Sequence, residues 1–205
     1  MWPNALYGER MTQTPLTMRR WARFEYEKLV DTGFFDRDRV ELIGGQLIVS
    51  EPQGTYHVTA VCLVGDALRA VLPPGWLLRE EKPISLDDES TPEPDMVVVP
   101  GTPEDYLNAH PSVPPLVIEI ADSSLGFDRQ IKGSLYARGG VQDYWIVNVT
   151  DRVLEVYREP QADPSAIWGW SYRSVRTLRP AETATPLALP AVTVRVAALL
   201  PRGGA

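Results

Sequence analysis

The sequence predicts an α/β (α+β) fold in which a mixed central β-sheet is flanked by helices. Three observations predict it. Short β-rich apolar runs bounded by glycine and proline recur along the chain. Helical-period segments interrupt them in the order helix, hairpin, helix, strands, helix, strands. One of the runs, Pro115–Ala121, is apolar without alternation, as expected for a strand covered on both faces. With 205 residues, 44% of them hydrophobic and 23% charged, the chain has enough material for one core without disulfides.

The elements follow in order. Residues 1–16 contain Trp2, Pro3, Gly8 and Pro15 without periodicity and read as a loose arm, with Met11 an alternative start to Met1. A single domain is expected over 17–200. Thr17 is a candidate N-cap for a helix over 18–31, whose inner face carries Met18, Trp21, Ala22, Glu25 and Leu29. Arg19, Arg20 and Arg23 lie off that face, as a solvated flank or as phosphate contacts. Val40–Ile43 and Gln46–Val49, joined by Gly44-Gly45, predict a hairpin with a primed turn. A helix over 56–72 follows, stopped by Pro73-Pro74-Gly75, with Cys62 expected as a small core residue. Strands are expected at 76–82 and 95–99 around an acidic loop, with a short helix at 103–109. Residues 127–138 read as a helix ended by Gly139-Gly140. A hairpin is expected from residues 144–149 and 153–157, and further strands at 171–178 and 192–196.

Charge is unevenly placed. The net charge is −7, against a general nucleic-acid coat protein. Between Glu80 and Asp128 there are twelve Asp/Glu and one Lys, whereas from Arg152 onward seven Arg face four Asp/Glu. The first twenty residues lack an apolar signal core, and Pro190 and Arg195 break the C-terminal apolar stretch, so neither a signal peptide nor a membrane span is expected. With one cysteine, a cytoplasmic location is expected.

The chemistry concentrates between Glu93 and Lys132. Asp95 opens the run Met96–Val99, and Glu119 stands inside Pro115–Ala121. A carboxylate in a buried strand is costly unless something pairs with it. The two acids are 24 residues apart, enough for one strand, an excursion and return as its neighbour. Two hard oxygen ligands, completed by water and phosphate, suit Mg²⁺ (or Mn²⁺). Lys132 lies one turn beyond Asp128, either as a surface i,i+4 pair with it or as an ammonium carried to the same centre. Glu41 is either a strand-end charge or a third acid of that centre. His57 is either a satisfied group at a helix start or an accessory to the site, and Gln130, also a candidate accessory, faces away from Lys132. No serine-nucleophile elbow, phosphate-binding glycine loop or zinc motif occurs; with one Cys and two His, zinc and thiol chemistry lack ligands. Two carboxylates also suit a glycosidase, but that scheme asks for no lysine.

These motifs resemble the Uma family of restriction-endonuclease-like proteins. The resemblance rests on Pro94-Asp95, Val117-Ile118-Glu119, Asp128-Arg129-Gln130-Ile131-Lys132, Leu135-Tyr136-Ala137-Arg138 and Tyr144-Trp145-Ile146-Val147. Further matches are Arg39–Gly45, His57, Leu86-Asp87-Asp88, Tyr106 and Arg152–Pro160. It covers about residues 17–160, with a weaker tail to 200. It implies a restriction-endonuclease-like core with extra C-terminal strands, of the superfamily marked P-D…(D/E)-x-K, and Mg²⁺-dependent hydrolysis of nucleic-acid phosphodiesters, DNA above all. By the same resemblance Asp95 and Glu119 are metal ligands, Glu41 an accessory acid, and Lys132 the lysine displaced from the position that Ala121 occupies. A catalytically silent binding or regulatory module of the same fold is the alternative. A homodimer is expected, joined through an apolar strand edge or the segment with Trp168 and Trp170.

Overall fold

The computed structural model describes residues 18–50 and 53–203. The N-terminal arm and the Thr17 cap therefore lie outside the described residues. A six-stranded mixed sheet forms the centre, in the order β3–β4–β5–β6–β7–β8. Its strands are β3 (Trp76–Glu80), β4 (Met96–Pro100), β5 (Leu116–Ala121), β6 (Asp143–Asn148), β7 (Val153–Ala162) and β8 (Trp170–Leu178). All neighbours are antiparallel except β5 and β6, which run parallel. A parallel pair needs a crossover, supplied by α3 (Leu125–Phe127), a π turn (Asp128–Lys132) and α4 (Gly133–Arg138).

Each sheet face is buried by different partners, which is why β5 reads as continuously apolar. On one face Met96, Val98, Leu116, Ile118, Ile120, Trp145 and Val147 pack with Ala60, Val64 and Leu68 of α2 (Thr55–Arg69) and with the C-terminal segment. On the other face Val97, Val99, Val117, Ala121 and Ile146 pack with Tyr136 and Ala137 of α4 and with Tyr144 and Tyr172. Fully burying such side chains contributes roughly 1.5–3 kcal/mol each. Among the described residues no helix is long and apolar enough to cross a membrane.

A separate hairpin, β1 (Val40–Ile43) with β2 (Gln46–Val49), stands beside the sheet. Its turn residues Gly44 and Gly45 have φ of 55° and 77°, the positive pair that a primed turn requires. A Cβ on Gly44 would also overlap the ring of Trp168. Trp168 is thus used within the chain, its indole N–H donating to the Ile131 carbonyl at 3.1 Å.

Five expectations need correction. Helix α1 runs Arg23–Asp31, not from residue 18. The preceding residues are spent on the hairpin turn: Trp21 N–H donates to Gly45 O at 2.8 Å and Arg20 to Gly44 O at 2.8 Å. The Glu25 carboxylate then accepts the Ala22 N–H at 3.0 Å and starts the helix there. Met18, expected inside, is exposed, and Tyr26 is the buried residue of α1. Cys62 is exposed, because the inward stripe of α2 is Ala60, Val64, Gly65 and Leu68. The expected helix 127–138 contains a π turn, closed by Gly133 N–H to Asp128 O. The expected strand 192–196 shrinks to β10 (Val194–Arg195), paired with β9 (Thr183–Ala184) and followed by a 3₁₀ turn, Val196–Leu199.

Candidate active site

The antiparallel register of β4 and β5 pairs Met96 with Ile118. Continued by one residue, it sets Asp95 opposite Glu119 on the same sheet face. Two acids directly across a strand pair repel. Backbone donors partly relieve this: Ile120 N–H donates to Asp95 Oδ2 at 2.7 Å, and Asp95 N–H reaches Glu119 Oε2 at 3.4 Å. The larger relief is Lys132. Its Nζ donates to Glu119 Oε1 at 3.0 Å and lies 3.5 Å from Glu41 Oε2. Tyr136, one turn later, donates its hydroxyl to the same Glu119 oxygen at 2.6 Å.

The π turn places Lys132. A wider turn rotates the residues that follow, and such turns recur at functional sites. Here Asp128 and Lys132 are both buried, so they are not a surface pair. Asp128 instead accepts the Ser124 hydroxyl at 2.5 Å. Glu41 reaches the cluster from β1, accepting the Glu93 N–H at 3.0 Å and the Ser50 hydroxyl at 3.3 Å.

Burial sets the charge states. It pushes the Glu119 carboxyl well above the usual range; Lys132 opposes this, while Asp95, Asp128 and Glu41 add to it. Burial likewise lifts Asp128 to about 6. For Lys132 burial acts downward, but Glu119, Glu41 and the other acids more than offset it, so the ammonium holds its proton. Tyr136 is pushed well up, first by burial and then by Glu119, and remains a donor.

His57 Nε2 lies 3.3 Å from Asp95 Oδ1 but off the hydrogen-bond direction, leaving a buried nitrogen without a hydrogen-bond partner among the described residues. Burial pulls its imidazolium down and Asp95 beside it pulls it up, with a net rise.

The structure therefore gathers Asp95, Glu119, Lys132, Glu41, His57 and Asp128 around one cleft of about 350 Å³. Gln130 is not among them: it is exposed and lines a separate hollow with Arg129 and Tyr157. A larger hollow of about 860 Å³ beside the cleft shares only Glu93 with it and holds none of the central acids. Sequence reasoning missed Tyr136 as a partner of Glu119, Glu93 as the donor to Glu41, and Arg39 at the rim. Tyr136 carries a signal in its four-residue spacing from Lys132 on one helix, and Arg39 in its place at the head of the Arg39–Gly45 match.

Among the described residues no group of three or more His, Cys, Asp or Glu side chains forms a ready cation cage. The donor set nevertheless fits a hard divalent ion that keeps most of its waters. Asp95 Oδ1 accepts no hydrogen bond among the described residues, Glu119 Oε2 accepts only the long Asp95 N–H, and the orphaned His57 nitrogen faces the same space.

A search of curated proteins finds no match to the chain. Among solved structures it is similar to the crystal structure of a "putative nuclease belonging to DUF820" from Anabaena variabilis ATCC 29413. That match has a TM-score of 0.57 and 16% identity, and covers 79% of this chain and 89% of the other, a likeness of fold. The sequence model of Uma2, described as "Putative restriction endonuclease", spans residues 24–197, from α1 to the last 3₁₀ turn, and the chain belongs to that family.

Proposed function

We propose that the protein is a metal-dependent endonuclease that hydrolyses phosphodiester bonds of DNA. The observation that carries this reading is the facing pair Asp95 and Glu119, with the buried Lys132 ammonium bonded to one of them. A pair of carboxylates with one cation is a poor structural device, since hydrophobic residues would fill the space at lower cost. It is a good device for holding Mg²⁺ or Mn²⁺ against a phosphate.

Asp95 and Glu119 would hold the ion through their free oxygens. Once bound, a divalent ion supplies Lewis-acid polarisation of a phosphate oxygen and a water of lowered pKa. The remaining work falls to side chains of the chain. Lys132, flanked by Glu119 and Glu41, presents positive charge and N–H donors to an attacking water or to a phosphate oxygen, rather than acting as a base. Tyr136 fixes the Glu119 carboxylate from behind. Glu41 holds Lys132 from its second side and is in turn held by Glu93 N–H and Ser50.

The test is a cleavage assay on plasmid, duplex and single-stranded substrates, with Mg²⁺ or Mn²⁺. Nicking or linearisation is expected, stopped by a chelator and by Asp95→Asn. A wild-type protein that folds yet leaves every substrate intact with both ions contradicts the reading and favours the silent module.

A further inference from the structure

The cleft has a charge problem that its central residues do not solve. Among the described residues six carboxylates line it (Glu41, Glu93, Asp95, Glu119, Asp122 and Asp128) against two cations, Lys132 and Arg39. A nucleic-acid backbone needs cations on its phosphates. Lys132 is 6% exposed at the floor and engaged by Glu119 and Glu41. Arg39 is the cation at the rim, with its side chain 40% exposed.

Arg39 is held there with unusual care. Its Nη1 donates to Glu81 Oε1 at 2.9 Å, while Nη2 is 4.0 Å from Glu93, too far for a hydrogen bond. Its remaining N–H groups make no hydrogen bond among the described residues. Glu81 has φ of 48°, left-handed backbone that a non-glycine residue adopts at an energetic cost. Its own N–H donates to the Asp95 carbonyl at 3.0 Å, and its carboxylate also receives Gln53 Nε2 at 3.0 Å. Glu81 therefore ties the rim arginine by side chain, and by backbone, to the residue that opens the acidic site.

We infer that Arg39 is the substrate-positioning residue of this cleft, binding a backbone phosphate next to the scissile one through the N–H edge that Glu81 leaves free. The inference rests on the nuclease reading of the site. A guanidinium suits the role better than an ammonium, because its planar fork can give one edge to Glu81 and another to two phosphate oxygens. Clamped in this way, it fixes the register of the strand over Asp95 and Glu119 without reading sequence.

The test uses the whole chain and a labelled duplex. Affinity is read by fluorescence anisotropy in Ca²⁺ across a salt series, and cleavage kinetics in Mg²⁺, for wild type, Arg39→Ala, Arg39→Lys and Asp95→Asn. Arg39→Ala is expected to weaken duplex binding and raise KM on the order of tenfold, with kcat little changed. It should also make the dependence of log affinity on log salt shallower by about one. Arg39→Lys should recover the salt slope but only part of the affinity. Asp95→Asn should bind duplex and not cleave it. If Arg39→Ala binds and cleaves as wild type does, the inference fails and the nuclease reading stands. If Arg39→Ala also loses Mn²⁺ binding, the residue is structural and the inference fails. A wild type that binds duplex through Arg39 but never cleaves it sinks the hydrolytic reading and keeps only the phosphate-binding half of the inference. A wild type that binds no duplex overturns both.

Discussion

Glu119 and Glu155 are the same residue type, each 3% exposed. They stand in one lateral row of the sheet, Glu119 paired with Ile146 and Ile146 with Glu155, so they share a face. Their surroundings are opposite. Glu155 is saturated: Arg129 forks onto both its oxygens at 3.0 and 2.5 Å, Asn148 donates at 3.0 Å and Tyr157 at 2.7 Å. Burial acts to raise its carboxyl, yet these bonds win and hold it below the usual range. Glu119 has two donors on one oxygen, little on the other and further acids around it, and its carboxyl is pushed up. One glutamate has its charge matched within the fold. The other keeps an oxygen open and a charge unmatched, as expected of a group arranged for a partner from outside.

That contrast can be broken from either side. Asp95→Asn, which removes one acid facing Glu119, should lower cleavage on the order of 1,000-fold. Thermal unfolding of the same variant should show a melting temperature unchanged or raised, because crowded like charges at a functional site are relieved. Lys132→Met should lower kcat about 100-fold in single-turnover assays. Tyr136→Phe, which takes one donor from Glu119, should reduce kcat roughly 5-fold. Glu155→Gln should do the reverse: cleavage stays near wild type, while urea unfolding shows a loss of about 1–2 kcal/mol.

The smallest effect is in pH. The Glu155 carboxyl is depressed in the folded state, so its stabilisation is complete above the ordinary value of 4.5 and is lost as pH falls through the lower folded value. Urea midpoints measured downward from about pH 5 should therefore fall less steeply in Glu155→Gln than in wild type.

The same comparison explains what could be read from sequence. Glu119 is visible because a lone acid in the apolar run Leu116–Ala121 breaks the pattern. Asp95 is visible through Pro94 and the strand it opens, and the hairpin through Gly44-Gly45. Tyr157 and Asn148 are near Glu155 in sequence, but Arg129, whose fork carries most of the match, is 26 residues away and meets it only when the crossover packs on β7, so nothing local announces that pair. Lys132 shows the intermediate case. Its four-residue spacing from Asp128 allowed a surface pair, and only the π turn decides that both are buried. Cys62 and the start of α1 depart from the sequence expectation because apolar character and helical spacing do not say which face a tertiary partner covers. The hairpin turn, by claiming Arg20 and Trp21, fixed where the helix begins.

The central claim is that the open oxygens of Asp95 and Glu119 await a divalent ion. Calorimetric titration of Mn²⁺ into the wild-type protein and Asp95→Asn tests it most directly. The account predicts saturable binding by the wild type that Asp95→Asn abolishes. Wild-type protein that takes up no Mn²⁺, or a variant that binds it equally well, would contradict it.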